Sequence, residues 1–344
     1  MIPREPQGQP DWQPDVLPGY WQQTIALGPD PDGEGELVAT VVRRGEPGPG
    51  SHAVLVVHGY TDYFFHTELA DHFAARGFAF YAVDLHKCGR SWRPGQTPHF
   101  TTDLVSYNDE LRRALRLIAA DTSGATVCVY GHSAGGLIAT LFTDQLRRDD
   151  ALATYNVRGL ILNSPFFDLR GPSPLRSTPV SAALSAVARV RKLAVIRPPT
   201  EGGYGTSLHR DYGGEFDYNL DWKPLGGFPV TFGWINAIRR GQLRLHRGLD
   251  VGVPNLILRS DHTVAETADP AGMQRGDAVL DVAQIARWAG CVGDRSTIVP
   301  VADAKHDVFL SLPEPRAAAF EELNRWLHGY LTQYPSATTQ HGQG

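Results

Sequence analysis

One short stretch of this sequence has the residue types and spacing of a serine nucleophile. In "VCVYGHSAGGLIATLF" (residues 127–142), Ser133 stands between Gly131 and Gly135, after an apolar run typical of a strand and before a helical pattern. A Gly-x-Ser-x-Gly pentad at a strand-to-helix turn is the sequence form of a nucleophile elbow. The alternative interpretation is an ordinary glycine-rich turn. Because a serine hydroxyl needs a neighbouring base to become nucleophilic, the rest of the chain must supply that base.

The candidate base is His306, in "VADAKHDVF". It follows the last predicted strand, "STIVPV", and precedes the last predicted helix, so a loop there can aim an imidazole at the elbow. An imidazole titrates near neutral pH and can both accept and return a proton. We therefore predict His306, among the 13 histidines, as the general base.

The acid that would orient this imidazole has two candidates. Asp261 directly follows the predicted strand "NLILRS", and Asp277 comes later, in "RGDAVLDV", before a helix. Asp281 heads that same helix and is predicted to be its N-cap, since a carboxylate there satisfies free amide groups. The residues alone leave both Asp261 and Asp277 open. With either one, the chain order is Ser, Asp, His.

Short apolar strands alternate with helical patterns over most of the chain. Typical strands are "AVLVVHG", "FAFYAVDL", "TVCVY", "VRGLILNSP" and "VPNLILRS", and helical segments such as "DLVSYNDELRRALRLIAA" lie between them. This alternation predicts a mainly parallel sheet with helices on both faces. Ahead of it, "YWQQTIALG" and "ELVATVVRR" are predicted to form a hairpin.

The alternation is interrupted at residues 168–252, which are rich in proline, glycine and aromatic residues and contain one predicted helix, "SAALSAVARVRKLAVI". We expect this segment to be a cap over the C-terminal edge of the sheet. Residues 19–167 and 253–333 then form the core. Residues 1–18 are expected to be poorly ordered and residues 334–344 to be a flexible tail.

Aromatic side chains are concentrated in this inserted stretch. They either line a ligand pocket or form a small core of the cap itself. These residues are Tyr204, Tyr212, Phe216, Tyr218, Trp222, Phe228, Phe232 and Trp234.

Composition argues against several classes of protein. The 344 residues carry a formal net charge of -5 without a dense basic run, which argues against a nucleic-acid partner. The three cysteines lack metal-ligand spacing, so neither disulfides nor a zinc site is expected, and Cys128 is predicted to be buried in a strand. No apolar run is long enough to span a membrane, and the N-terminus lacks the apolar segment of a signal peptide. We therefore expect a cytoplasmic protein.

The chain resembles the α/β-hydrolase superfamily, and within it the serine aminopeptidase-like hydrolases that include monoacylglycerol lipases and lysophospholipases. The matching segments are "LVVHGYTDY", "LADHFAARGFAFYAVDLHKCGRS", "VYGHSAGG", "LILNSPFF" and "HDVFLSLPEPRAAAFEELNRWL". The order nucleophile, acid, base agrees with this superfamily. The resemblance implies the α/β-hydrolase fold, with a mostly parallel central sheet, helices on both faces and an inserted cap (lid) domain.

The resemblance also implies which carboxylate is the acid. In this family the acid begins an apolar turn roughly thirty residues before the histidine. Asp277 lies 29 residues before His306 and is therefore favoured, whereas Asp261 lies 45 residues before it. The extra residues "DHTVAETADPAGMQR" between strand and acid depart from the family pattern, which keeps Asp261 as an alternative.

An oxyanion hole uses two backbone N–H groups, one directly after the nucleophile and one from the loop after an early strand. The first is that of Ala134, and the resemblance implies Tyr60, in "HGYTDY", for the second. His58 is interpreted as a structural residue. In "DLHKCGRS", Lys87 replaces a glycine of the family's loop and is also interpreted as structural.

We therefore expect a serine hydrolase that cleaves a carboxylic ester through an acyl-enzyme, with no cofactor and no metal. By resemblance, the substrate is a monoacylglycerol, a lysophospholipid or another small ester. One alternative is an aminopeptidase of the same family, whose cap carboxylates Glu201, Glu215 and Asp217 would hold an ammonium group. The others are an acyltransferase and a non-catalytic ligand-binding protein. The sequence does not predict an oligomeric state.

Overall fold

The computed structural model describes residues 11–47, 52–266 and 269–332. Residues 1–10 of the segment expected to be poorly ordered, and the whole expected tail, 334–344, lie outside these ranges. Residues 11–18 differ from that expectation. β1 (Gln13–Pro14) pairs antiparallel with β2 (Tyr20–Pro29), and Asp15 forms an ion pair with Arg90 at 2.6 Å. This part of the N-terminus is attached to the sheet.

Nine further strands follow in the described ranges. They are β3 (Glu36–Arg44), β4 (His52–Val57), β5 (Phe78–Asp84), β6 (Thr126–His132), β7 (Val157–Asn163), β8 (Val195–Arg197), β9 (Val230–Thr231), β10 (Asn255–Ser260) and β11 (Ser296–Val301).

The α-helices pack around these strands, and none that is described is both long and apolar enough to cross a bilayer. They are α1 (Thr67–Ala74), α2 (Tyr107–Asp121), α3 (Ala134–Arg148), α4 (Thr178–Val190), α5 (Gly203–Thr206), α6 (Phe232–Leu245), α7 (Val282–Trp288) and α8 (Pro313–Leu327).

The large sheet has the strand order β1-β2-β3-β5-β4-β6-β7-β10-β11. The pairs from β5 to β11 are parallel, whereas β2 and β3 form the predicted antiparallel hairpin. The mainly parallel sheet is therefore confirmed. Because parallel strands end at one edge, the loops after β4, β6, β7, β10 and β11 meet there.

Successive side chains of the central strands pack alternately into two hydrophobic cores. In β4, Leu55 and Val57 belong to the core that contains α2 and α3, and Val54 and Val56 belong to the core that contains α1 and α8. This period of two explains why the central strands have continuous apolar sequences, since both of their faces are covered by helices.

The inserted segment, residues 168–252, contains α4, α5, α6 and a two-stranded sheet of β8 and β9. The helix predicted at residues 181–196 corresponds to α4, which ends earlier than predicted. α4 ends at Val190, and β8 begins at Val195. α6 was not predicted. Its Trp234 and Ile238 lie in the same core as α3, so this end of the segment packs as part of the α/β body.

Candidate active site

Ser133 occupies a sharp turn between β6 and α3. Its backbone has φ 52° and ψ -119°, in the positive-φ region that side chains other than glycine rarely adopt. The turn is held at both ends, since the Ser133 N–H donates to the Asn163 carbonyl at 3.0 Å and the Ser133 carbonyl accepts from the Phe166 N–H at 2.9 Å. This is the strained geometry of a nucleophile elbow, which projects a side chain from the sheet edge.

The glycines of the pentad are required by close backbone contacts. A Cβ built on Gly135 would lie 2.2 Å from the carbonyl oxygen of His58, and one on Gly131 would lie 2.5 Å from the carbonyl oxygen of Gly135. Helix α3 therefore packs against β4 and β6 at a distance that excludes any side chain at these positions.

His306 and Asp277 are in direct contact. The Nδ1 of His306 and the Oδ2 of Asp277 are 2.9 Å apart, and both residues are buried. The other carboxylate oxygen of Asp277 accepts from the N–H groups of Val279 at 2.8 Å and Leu280 at 2.7 Å. These bonds fix the carboxylate in the orientation that presents Oδ2 to the imidazole.

Asp261, the other candidate acid, lies elsewhere. Its side chain is 40% exposed, and it binds His262 at 2.7 Å and the Asp303 N–H at 3.0 Å. The extra residues between β10 and Asp277 form a loop closed at its base, where Asp277 N–H donates to the His262 carbonyl at 3.0 Å. The insertion therefore leaves Asp277 beside the end of the sheet.

Ser133 and His306 line one cavity. The Nε2 of His306 is buried, and no described residue hydrogen-bonds to it, Ser133 included. The ring of His132, the residue before Ser133, lies 4.9 Å from the ring of His306, measured between centroids. The free ring nitrogen of His306 and the hydroxyl of Ser133 thus belong to the same site. Hydrogen bonds between catalytic groups are commonly longer in the absence of substrate.

The turn after β4 lies against Ser133. A Cβ built on Gly59 would be 3.0 Å from the Cβ of Ser133. Neither the N–H of Tyr60 nor that of Ala134 donates to an acceptor in the part of the chain that the structure describes. Two free backbone donors near a serine hydroxyl are the components of an oxyanion hole.

The cavity has a volume of about 380 Å³, and the inserted segment forms much of its wall. Apolar side chains make up most of the lining. They include Phe166, Leu169, Ile196, Leu208, Leu225, Phe228, Val230, Trp234, Ile235, Val279 and Leu280.

Two carboxylates line this cavity, and each has a cationic partner. Asp62 binds Lys223 at 2.8 Å, and Glu266 binds Arg197 at 2.9 Å. Burial by itself would raise the pKa of Asp62, but the Lys223 ammonium outweighs it and holds this pKa well below its usual range.

Some of the inserted aromatic residues line the cavity, as one of the two interpretations predicts, and others pack in a small core that also contains Tyr63, Phe65 and Leu310 from outside the inserted segment. Tyr204, Phe228 and Trp234 line the cavity. Tyr218 is buried in a small separate core, with Phe216, Trp222 and Tyr204 packed against it, whereas Tyr212 is 57% exposed.

Two polar residues near His306 were not identified from the sequence. Asn163, at the end of β7, donates to Asp307 at 2.6 Å and accepts from the Val308 N–H at 3.2 Å, which ties the His306 loop to the sheet. Burial lowers the pKa of His132, although the nearby carboxylate of Asp307 opposes this shift. The only sequence signal for these residues is that they adjoin the end of a strand or a candidate catalytic residue.

Three possible metal ligands, His58, Cys88 and His99, meet within 4.8 Å beside the Gly59–Tyr60 turn. Both ring nitrogens of His58 are already used, since Nδ1 donates to the Gly59 carbonyl at 2.7 Å and Nε2 accepts from the Leu85 N–H at 3.1 Å. Burial raises the pKa of the Cys88 thiol well above its usual value. Because metal ligation needs a thiolate and free lone pairs, we interpret the cluster as a hydrogen-bonded part of the core.

A family model for serine aminopeptidase, S33, matches residues 48–267, more than half of the chain. The chain belongs to this family. The matched residues of this S33 hydrolase include Ser133 and Tyr60 and end before Asp277 and His306. The resemblance of the sequence to this family is therefore confirmed.

Solved structures confirm the α/β-hydrolase fold of this S33 family member. A soluble variant of monoglyceride lipase from Saccharomyces cerevisiae, in complex with a substrate analog, is similar with a TM-score of 0.60 and 16% identity over 96% of this chain and 98% of that one. A thermostable carboxyl esterase from Bacillus coagulans, in complex with glycerol, has a TM-score of 0.56 and 14% identity over 90% and 98%. Alpha/beta hydrolase domain-containing protein 10 from mouse has a TM-score of 0.52 and 11% identity over 85% and 95%. No curated protein sequence matches the chain.

Proposed function

We propose that this S33 hydrolase cleaves carboxylic esters, with Ser133 as the nucleophile, His306 as the general base and Asp277 as the acid that orients it. One observation carries the proposal. His306 is bound through Nδ1 to Asp277 at 2.9 Å, while its Nε2 is free and buried at the cavity that Ser133 also lines. An imidazole held in this way has one nitrogen left for proton transfer.

The reaction follows from these positions. The Nε2 of His306 takes the proton from Ser133 as its hydroxyl oxygen attacks the ester carbonyl, and Asp277 stabilises the imidazolium. The N–H groups of Tyr60 and Ala134 donate to the oxyanion of the tetrahedral intermediate. His306 then protonates the leaving alcohol, and the acyl group remains on Ser133. A water molecule deprotonated by the same imidazole releases the acid and restores the serine.

The cavity supports an apolar acyl ester as the substrate class. Its lining is mostly apolar, and both of its carboxylates are paired with cations. A monoacylglycerol, a lysophospholipid or another small ester meets this description, and two of the similar structures are of a monoglyceride lipase and a carboxyl esterase. We also propose that the inserted segment up to β9 is the cap that covers the acyl group.

Aminopeptidase activity is less well supported by the cavity. It requires a carboxylate that is available to bind the substrate's ammonium group. Glu201, Glu215 and Asp217 are not among the cavity's lining residues, and Glu215 and Asp217 pair with Arg316 at 3.2 Å and Arg210 at 3.0 Å. The carboxylates that do line the cavity are already neutralised.

Labelling and a substrate panel test the proposed function. A fluorophosphonate should label the wild-type chain and leave Ser133→Ala unlabelled, because only an activated serine reacts. The wild type should hydrolyse p-nitrophenyl esters and monoacylglycerol much faster than an aminoacyl arylamide. Equal labelling of Ser133→Ala, or a preference for the arylamide, would contradict the proposal. A competing alcohol identifies an acyltransferase, since the acyl group would then appear on that alcohol.

A further inference from the structure

The turn that carries Tyr60 is attached to the inserted segment by four consecutive side chains. Each makes a hydrogen bond or ion pair with a residue more than 150 positions away. These contacts are Tyr60 Oη donating to the Pro229 carbonyl at 2.6 Å, Thr61 Oγ1 accepting from the Phe228 N–H at 2.9 Å, Asp62 Oδ1 accepting from Lys223 Nζ at 2.8 Å and Tyr63 Oη accepting from the Asn219 N–H at 2.7 Å.

We infer that the Lys223–Asp62 ion pair positions the oxyanion hole. Through this ion pair the inserted segment holds the Gly59–Tyr60 turn, and the Lys223 ammonium neutralises a carboxylate beside the developing oxyanion. This inference rests on the proposed function, in which the Tyr60 N–H stabilises the tetrahedral intermediate.

The geometry connects Lys223 to the turn through a single carboxylate. Oδ1 of Asp62 binds Lys223, and Oδ2 accepts from the N–H of Gly59 at 3.3 Å, one residue before Tyr60. Lys223 also reaches the carbonyl of Thr61 at 3.4 Å. Thr61 has φ 52°, a conformation that persists only when surrounding contacts hold it. The ion pair supplies such contacts on both sides of Tyr60.

The charge of Asp62 matters because of its location. Asp62 is only 7% exposed and lines the same cavity as Ser133. An unpaired carboxylate there would repel the negative charge that develops on the substrate oxygen, and this repulsion is strong in a site with little water. The Lys223 ammonium cancels it. Lys223 therefore acts on the transition state without touching the substrate's reacting atoms.

Substitution of Lys223 should reduce turnover more than binding. In Lys223→Met, we expect kcat to fall by about 10- to 100-fold, somewhat less than the loss of an oxyanion-hole donor, while KM changes by less than about 3-fold. In Asp62→Asn/Lys223→Met the carboxylate is also gone, so kcat should recover by at least about 5-fold relative to Lys223→Met. Lys223→Arg keeps the charge and should retain most of the wild-type kcat.

A second ion pair between the inserted segment and the core provides the matched control. Lys192 binds Asp32 at 3.0 Å, and neither residue lines the cavity. Lys192→Met should leave kcat within about 2-fold of the wild type, because this ion pair is partly exposed and contributes little to stability. The free energy of unfolding of each variant, from urea denaturation, separates loss of stability from loss of catalysis.

The measurements are kcat and KM for a p-nitrophenyl ester and the rate of fluorophosphonate labelling. A wild-type kcat in Lys223→Met, or a double variant as slow as Lys223→Met, would overturn the inference while the proposed function stands. A wild-type chain that neither turns over nor becomes labelled would contradict the proposed function, and with it this inference. If Lys223→Met does not fold, Lys223→Gln, which keeps a donor without the charge, takes its place with the same expectations.

Discussion

Asp261 and Asp277 both follow β10, yet their surroundings differ. Asp277 is buried, accepts two backbone hydrogen bonds and touches His306, whereas Asp261 is on the surface beside His262. The resemblance to the family favoured Asp277, and the contact with His306 now gives that choice a physical basis. A carboxylate that is buried and oriented by backbone N–H groups is available to hold an imidazole, while an exposed one is screened by water.

Asparagine substitutions distinguish these two carboxylates. Asp277→Asn should lower kcat/KM by about 10³- to 10⁴-fold, because an amide cannot stabilise the imidazolium and favours the wrong tautomer. Asp261→Asn is the matched control and should change kcat/KM by less than about 3-fold. The measurement is hydrolysis of a p-nitrophenyl ester by variants whose urea unfolding is compared with the wild type. The reverse ranking would assign the acid to Asp261.

At the scale of elements, glycines show how packing overrides a local signal. Helix α6 was missed in "TFGWINAIRRGQLRL" because Gly233 and Gly241 reduce helix propensity. A Cβ on Gly233 would lie 2.8 Å from the Phe100 ring, and one on Gly241 would lie 2.9 Å from Leu104. These glycines therefore permit the close approach of α6 to the core. The side-chain hydroxyl of Thr231, which accepts from the Trp234 N–H, caps the helix start.

The elbow between β6 and α3 is expected to tolerate no Cβ at Gly135. Gly135→Ala should lower the free energy of unfolding by about 1–3 kcal/mol and kcat by more than about 10-fold, since the backbone must shift away from β4 and carry Ser133 with it. Gly290→Ala is the control, because nothing lies within 4 Å of a Cβ there, and it should change stability by less than about 0.5 kcal/mol. Urea unfolding and ester hydrolysis measure both effects. A fully active Gly135→Ala would argue against the close packing.

At the scale of the whole molecule, the loop between β2 and β3 connects distant parts of the chain. Lys87, in the loop after β5, is fully buried and binds Asp30 at 2.7 Å and Glu34 at 2.8 Å. In the same β2–β3 loop, Asp32 binds Lys192 of the inserted segment. Lys87 has φ 62°, a conformation that glycine adopts more readily than other residues. Here two buried ion pairs stabilise a lysine in the same conformation.

Removal of the Lys87 ammonium should leave two carboxylates without their cationic partner. We expect Lys87→Met to lower the free energy of unfolding at pH 7 by about 3–5 kcal/mol. Arg44→Met breaks the exposed Arg44–Asp71 pair, whose side chains are 42% and 60% exposed, and should cost less than about 1 kcal/mol. Urea denaturation compares the two. Equal small losses would mean that the buried pairs contribute no more than surface pairs.

The pH dependence of this effect has a definite sign. Burial by itself would raise the pKa values of Asp30 and Glu34, but Lys87 and nearby N–H groups lower both, from 3.8 and 4.5 in the unfolded chain. The stabilisation is therefore present above those unfolded values and is lost as the pH falls through the lower folded ones. In Lys87→Met the ammonium no longer opposes the effect of burial, so the carboxylates bind protons more readily. The stability difference from the wild type should shrink between pH 7 and about pH 5.

The sequence by itself determined the parallel α/β architecture, the strand-to-helix turn at Ser133 and the family, because these depend on local patterns: apolar runs, helical spacing and a short motif. Only the tertiary structure brought Asp277 into contact with His306, attached residues 11–18 to the sheet and included α6 in the core. It also joined Asp62 to Lys223, two residues 161 positions apart. Contacts between residues so distant in the chain depend on how the packed elements align, and no local pattern records that alignment.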